Sequence, residues 1–250
     1  MVSFVAMATA VRRAGRASSA SSSHRWATHR AFFTGLSLLM VLAVFVGFSR
    51  SYYLKELYGT PTLPTLFHVH GLLFTSWMAL LVVQTGLVAT RRTPVHRRLG
   101  VAGGVLAFAM TVAAIAMTVD LARRSAGAPN DIGLAFTIVP FFTVIVFPVL
   151  VGIALLYRRQ PEIHKRLILI ATLELVTAGV ARIPGAGTMP LFFVLTDVGL
   201  VAILLYDVVT RGRPHAATVW GGLFLIATQF IRTTAGATAT WIAFARLLAQ

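Results

Sequence analysis

Seven apolar stretches, at roughly 31–49, 65–90, 98–121, 133–157, 165–184, 189–209 and 218–245, dominate this 250-residue chain. Each is long enough to cross the hydrocarbon core of a bilayer, which takes about 20 apolar residues in a helix. Lipid offers the backbone no hydrogen-bond partner, so a spanning segment must pair its own amides and carbonyls. The pattern therefore predicts an all-α fold, a polytopic membrane bundle of about seven transmembrane helices. Composition points the same way. The chain is 57% hydrophobic and 12% charged, with a mean hydropathy of +0.82, whereas soluble domains carry about 25% charged residues. A soluble α/β or all-β fold is excluded.

The basic residues give the bundle a direction. Residues 1–30 carry five Arg, the Arg91–Arg98 turn four, the Arg158–Arg166 turn four Lys or Arg, and the Arg211–Arg213 turn two. The alternate connections hold only Arg50 and Lys55, then Arg123 and Arg124, then Arg182. The positive-inside rule places the N-terminus in the cytoplasm and, after seven spans, the C-terminus outside. Residues 1–30, rich in Arg, Ser and Ala, read as a disordered cytoplasmic tail, and 31–250 as the transmembrane domain. A net charge of +15 would suggest nucleic acid in a soluble protein. Beside apolar spans it serves orientation and contact with anionic lipid headgroups on the cytoplasmic side. Nucleic acid is rejected as a partner.

Helix ends and breaks are partly legible. Pro140 and Pro148 predict kinks in the fourth span, where a proline removes a backbone donor. Thr233, Thr234, Gly236, Thr238 and Thr240 interrupt the last stretch. Residues 237–250 therefore either complete the span or lie on the membrane, anchored by Trp241.

Histidines recur where helices leave the basic side. His29, His96 and His164 stand 67 and 68 residues apart, each followed by Arg or Lys, and His215 precedes the last span. A repeated helical hairpin explains the spacing. These residues read first as interfacial anchors. The alternative makes His96 and His164, at equal depth on different helices, the axial ligands of a b-type haem, with His70 a third candidate. The absence of cysteine excludes disulfides, thiolate zinc sites, iron–sulfur clusters and covalent c-type haem.

Ionisable residues at membrane depth are costly and mark function by default. His70, Trp77 and Gln84, spaced by seven, form one stripe of the second span. His68 lies about 200° from His70 around the same helix, so the two cannot chelate one ion, and no metal site is expected. Glu174 and Asp197 fall near mid-bilayer, Gln229 and Arg232 share a face of the last span, and Arg182 ends the fifth. An inward-facing cluster is expected, with Glu174 or Asp197 paired to Arg232 and capped by Gln84 and Gln229. It reads as a buried ion pair that fixes packing, as a proton or ion pathway, or as polar support for a bound molecule. No mid-membrane lysine, Walker loop, His-Glu-x-x-His or Gly-x-Ser-x-Gly motif is present, and no catalytic residues are assigned.

The segments Gly47-Phe48-Ser49-Arg50-Ser51-Tyr52-Tyr53-Leu54, Phe67-His68-Val69-His70-Gly71, His96-Arg97-Arg98-Leu99-Gly100 and His164-Lys165-Arg166-Leu167 resemble a group of uncharacterised bacterial polytopic membrane proteins. The likeness continues through Leu205-Tyr206-Asp207 and Trp220-Gly221-Gly222. It implies an inner-membrane address and a helical fold, and assigns no reaction. The functional expectation is a non-catalytic membrane protein for assembly, scaffolding, or lipid or small-molecule binding. The alternative is a haem b redox or oxidase-assembly protein, and the third reading a proton- or ion-coupled transporter.

Overall fold

A computed structural model describes residues 29–250, so the expected tail lies, but for its last two residues, outside the described part. The described residues form helices and connecting turns, without a strand. In order these are α1 (His29–Tyr53), α2 (Thr65–Ala89), α3 (Thr93–Ala126), α4 (Ile132–Phe136), α5 (Ile138–Leu156), α6 (Pro161–Val180), α7 (Leu191–Arg211), α8 (Ala216–Ala235) and α9 (Ala239–Leu248). Five of these segments are long and apolar enough to cross a membrane: α1, α2, α3, α4 with α5, and α7. The chain is a multi-pass helical membrane protein.

Helices α6 and α8 are 20 residues each, about 30 Å at 1.5 Å per residue and so the thickness of the hydrocarbon core. Their sequences are more polar because their charges point inward. Helix α6 is the axis of the bundle: from Arg166 onward nearly every residue is buried. It packs against α5, α7 and α8. It meets α1 at Gly47 and Gly179, where a Cβ on Gly47 would collide with the Gly179 carbonyl. Small residues let membrane helices approach this closely. Trp77 of α2 completes the ring of neighbours, donating from Nε1 to the Thr172 hydroxyl at 3.2 Å.

The expected kinks take a specific form. The fourth span breaks at Thr137, between α4 and α5. The proline ring at 140 clashes with a helical carbonyl four residues back, and the break at Phe136–Thr137 removes that conflict. Pro148 stays inside α5. The last span ends at Ala235 and α9 lies against α3 and α4. Trp241 fixes it there, donating to the Leu134 carbonyl at 3.2 Å. Residues 239–248 thus form a separate short helix held at the bundle's end.

Candidate functional site

Polar side chains gather in four groups. At the end carrying the basic turns, Arg166 of α6 and Asp207 of α7 form a bidentate ion pair with side-chain exposures of 1% and 0%. Asp207 also accepts from the Thr218 hydroxyl at 2.5 Å and the His215 amide at 3.2 Å. Glu162 binds Arg166 at 2.6 Å and Lys165 at 2.6 Å, and Lys165 reaches His29 of α1 at 2.5 Å. Four helices are tied by one network with the buried carboxylate satisfied, the condition under which a buried pair is tolerated.

At mid-depth, Glu174 of α6 accepts from Arg232 of α8 at 2.8 Å, both fully buried, and from Thr143 of α5 at 2.6 Å. The guanidinium lies between Phe142 and Phe193, 5.7 and 5.5 Å from the ring centroids. Of the two acids expected for Arg232, Glu174 is the partner. Asp197 of α7 instead accepts from Gln229 at 3.0 Å, about one turn before Arg232 on α8. Gln84 is elsewhere, donating to the His96 carbonyl at 3.3 Å. The expected single cluster is therefore two pairs, with Gln84 belonging to a different site.

At the opposite end from the basic turns, a cavity of about 450 Å³ opens between α1, α2, α3, α5 and α6. Phe48, Phe74, Met110 and Phe192 make its apolar wall, and Glu174 stands on its lining. His70 and Arg182 also line it. Arg182 donates to the Ala178 carbonyl at 2.7 Å and lies 4.3 Å from the Phe48 ring centroid. Among the described residues no carboxylate pairs with it. Arg182 is an exposed residue whose side chain stands on the cavity lining. An arginine side chain stays charged.

Buried polar atoms without a partner fall mainly in two places. Ser51 Oγ, His70 Nδ1 and Glu174 Oε2 lie at the cavity; Gln84 Oε1 and His96 Nδ1 lie together at the basic end; Arg232 Nε is the sixth. Such atoms are rare in folded proteins, and a ligand is one physical reason for them. The fourth group, also at the basic end, is the His96–His164 pair, with ring centroids 6.3 Å apart. No family model matches the chain, and no curated protein or solved structure is found to be similar to it.

Two residues of the polar framework escape a reading by hydropathy. Arg166 looks like one of several basic residues in a cytoplasmic turn, and Asp207 like the end of a span. The signal available was scarcity: the chain has only seven acids, and an acid at the basic end of a helix has cations to meet.

Proposed function

We propose that this chain is a seven-span protein of the inner membrane, N-terminus inside, and a non-catalytic receptacle for an amphipathic anionic molecule. The observation that carries the reading is the 450 Å³ cavity in which Arg182 has no carboxylate partner. That volume lies in the range of small-molecule sites, which are mostly apolar with a few placed polar groups. The apolar wall takes a chain or ring, Arg182 and His70 take the acidic head, and Glu174 Oε2 takes a donor at the deep end. The mouth belongs to the end opposite the basic turns, so the ligand enters from the outer half of the bilayer.

A transport pathway through both mid-membrane acids has less support, since the cavity reaches Glu174 but Asp197 does not line it. The test is titration of the detergent-purified protein with cis-parinarate, a fluorescent fatty acid. Loss of one charge-assisted hydrogen bond, about 1.5–3 kcal/mol, makes Arg182→Met at least tenfold weaker, and Ala178→Phe fills the cavity and removes binding. Equal affinity in all three proteins would overturn the receptacle.

A further inference from the structure

We infer that His96 and His164 are the axial ligands of one non-covalently bound b-type haem, in a site separate from the outer cavity. Each is the fourth residue of its helix, α3 and α6 respectively, so the two rings enter the bundle at equal depth. Their centroids are 6.3 Å apart with planes at 83°. Two imidazoles that each bind one metal at about 2 Å hold their ring centroids roughly 6 Å apart. The spacing is that of a shared iron.

The nitrogen chemistry singles out the free electron pairs. His164 Nδ1 lies 2.8 Å from the Ala154 carbonyl, one of the last four of α5, which no helical amide can satisfy. A carbonyl only accepts, so Nδ1 carries the proton and Nε2 of the neutral ring carries the lone pair. Fixing the tautomer through the second nitrogen is the usual outer-shell device at metal-bound histidine. On the facing ring, His96 Nδ1 is buried without a partner, and so is Oε1 of Gln84, whose amide holds the His96 carbonyl. An ordinary contact between two histidines leaves neither orphan explained.

The surroundings suit a porphyrin. An apolar cleft of about 80 Å³ runs from His164 toward the bilayer centre, lined by Gly100 and Gly104 of α3, Trp77, Leu155 and Ile168; it receives an edge of the macrocycle. Gly100 and Gly104 are four and eight residues beyond His96, on its face of the helix. A Cβ at either would meet nothing nearer than 3.5 Å, so helix packing does not require glycine there, whereas a flat ring does. At the polar end, Arg97 and Arg98 directly follow His96, and Arg158 and Arg159 lie in the turn before α6; all four are exposed and supply cations for two propionates. With no cysteine in the chain, attachment is through iron alone.

The test is the visible spectrum and pyridine haemochrome content of the full-length protein, expressed with 5-aminolaevulinate and purified in detergent. The expected result is close to one low-spin haem per chain, with at least tenfold less in His96→Ala and His164→Ala, and no change in Asp197→Asn. If an alanine variant fails to purify as a monodisperse species, His164→Met decides. It keeps a ligand in place but raises the midpoint potential, as methionine ligation does in cytochromes. Wild-type protein without haem, or haem unaffected in content and potential by all three histidine substitutions, would overturn the assignment.

Discussion

Single side chains decide where this bundle tolerates charge. Removing one partner of a buried ion pair typically costs about 3–5 kcal/mol, because the other charge is left alone. Asp207 is the harder of the two buried acids to replace, since Arg166, Thr218 and the His215 amide all converge on it. Asp207→Ala is expected to lower the apparent Tm in detergent more than Glu162→Ala, whose carboxylate is 41% exposed. For the mid-membrane pair, Arg232→Met should destabilise strongly, and adding Glu174→Gln should restore part of the loss; equal penalties in both backgrounds would rule out a coupled pair. His215 offers a pH handle outside the spans. Its Nδ1 accepts the Ala217 amide at 3.0 Å as the cap of α8. Burial, then the charges of Arg166 and Arg211, hold its pKa below the ordinary 6.5, against the opposing pull of Asp207 and Glu162. The unfolded chain therefore binds the proton more tightly than the folded one. The stability that His215 contributes is complete above about pH 6.5 and is lost as pH falls through that value toward the folded pKa. His215→Asn keeps a capping acceptor without the titration, so its Tm should fall less than the wild-type Tm between pH 7.5 and 5.5. Parallel curves would remove His215 from the account.

At the level of helices, the packing of α1 on α6 is set by two glycines rather than by interlocking large side chains. Gly47→Ala places a methyl group against the Gly179 carbonyl, and backbone cannot rotate aside as a side chain can. We expect this variant to separate α1 from the bundle, seen as faster cleavage by protease near residues 55–60 with α2–α8 still folded. Gly35→Ala, which meets nothing within 4 Å, is the matched control. The helical class and the approximate place of each long apolar helix were legible because lipid demands long apolar runs and punishes open backbone. The threonine and glycine interruptions around 233–240 marked where a break could fall, and left open the two alternatives between which the separate α9 decides. The centrality of α6 was not legible. A helix surrounded by others and one facing lipid both look apolar, and α6 looks the less apolar of the two because its charges are paired inside. The same blindness split the expected polar cluster: sequence spacing gives a residue's face on its own helix, but the partner depends on which helices adjoin. That is why Arg232 met Glu174 while Gln84 turned to α3.

Across the whole molecule, charge and cavities are arranged along one axis. The basic turns 91–98, 158–166 and 211–213 share an end with the Arg166–Asp207 network and the His96–His164 pair. The large cavity, Arg182 and α9 lie at the other. A haem beside the basic turns and an anionic amphiphile at the far end would occupy separate compartments of one bundle, joined through α6, which carries His164, Arg166 and Glu174. This polarity makes the direction of insertion consequential, because it fixes which face of the membrane each site addresses. In the proposed orientation the basic end faces the cytoplasm, and the chain has no cysteine, so single-cysteine variants report topology against a silent background. Gln160→Cys, in the exposed turn before α6, should resist a membrane-impermeant maleimide in intact cells and react after permeabilisation. Leu57→Cys, 79% exposed between α1 and α2, should react in intact cells. The reverse pattern would invert the molecule, placing the cavity mouth in the inner leaflet, and ligand entry would then be sought from the cytoplasm. Labelling of both positions from one side would mean an even number of crossings between residues 57 and 160, in conflict with three intervening spans.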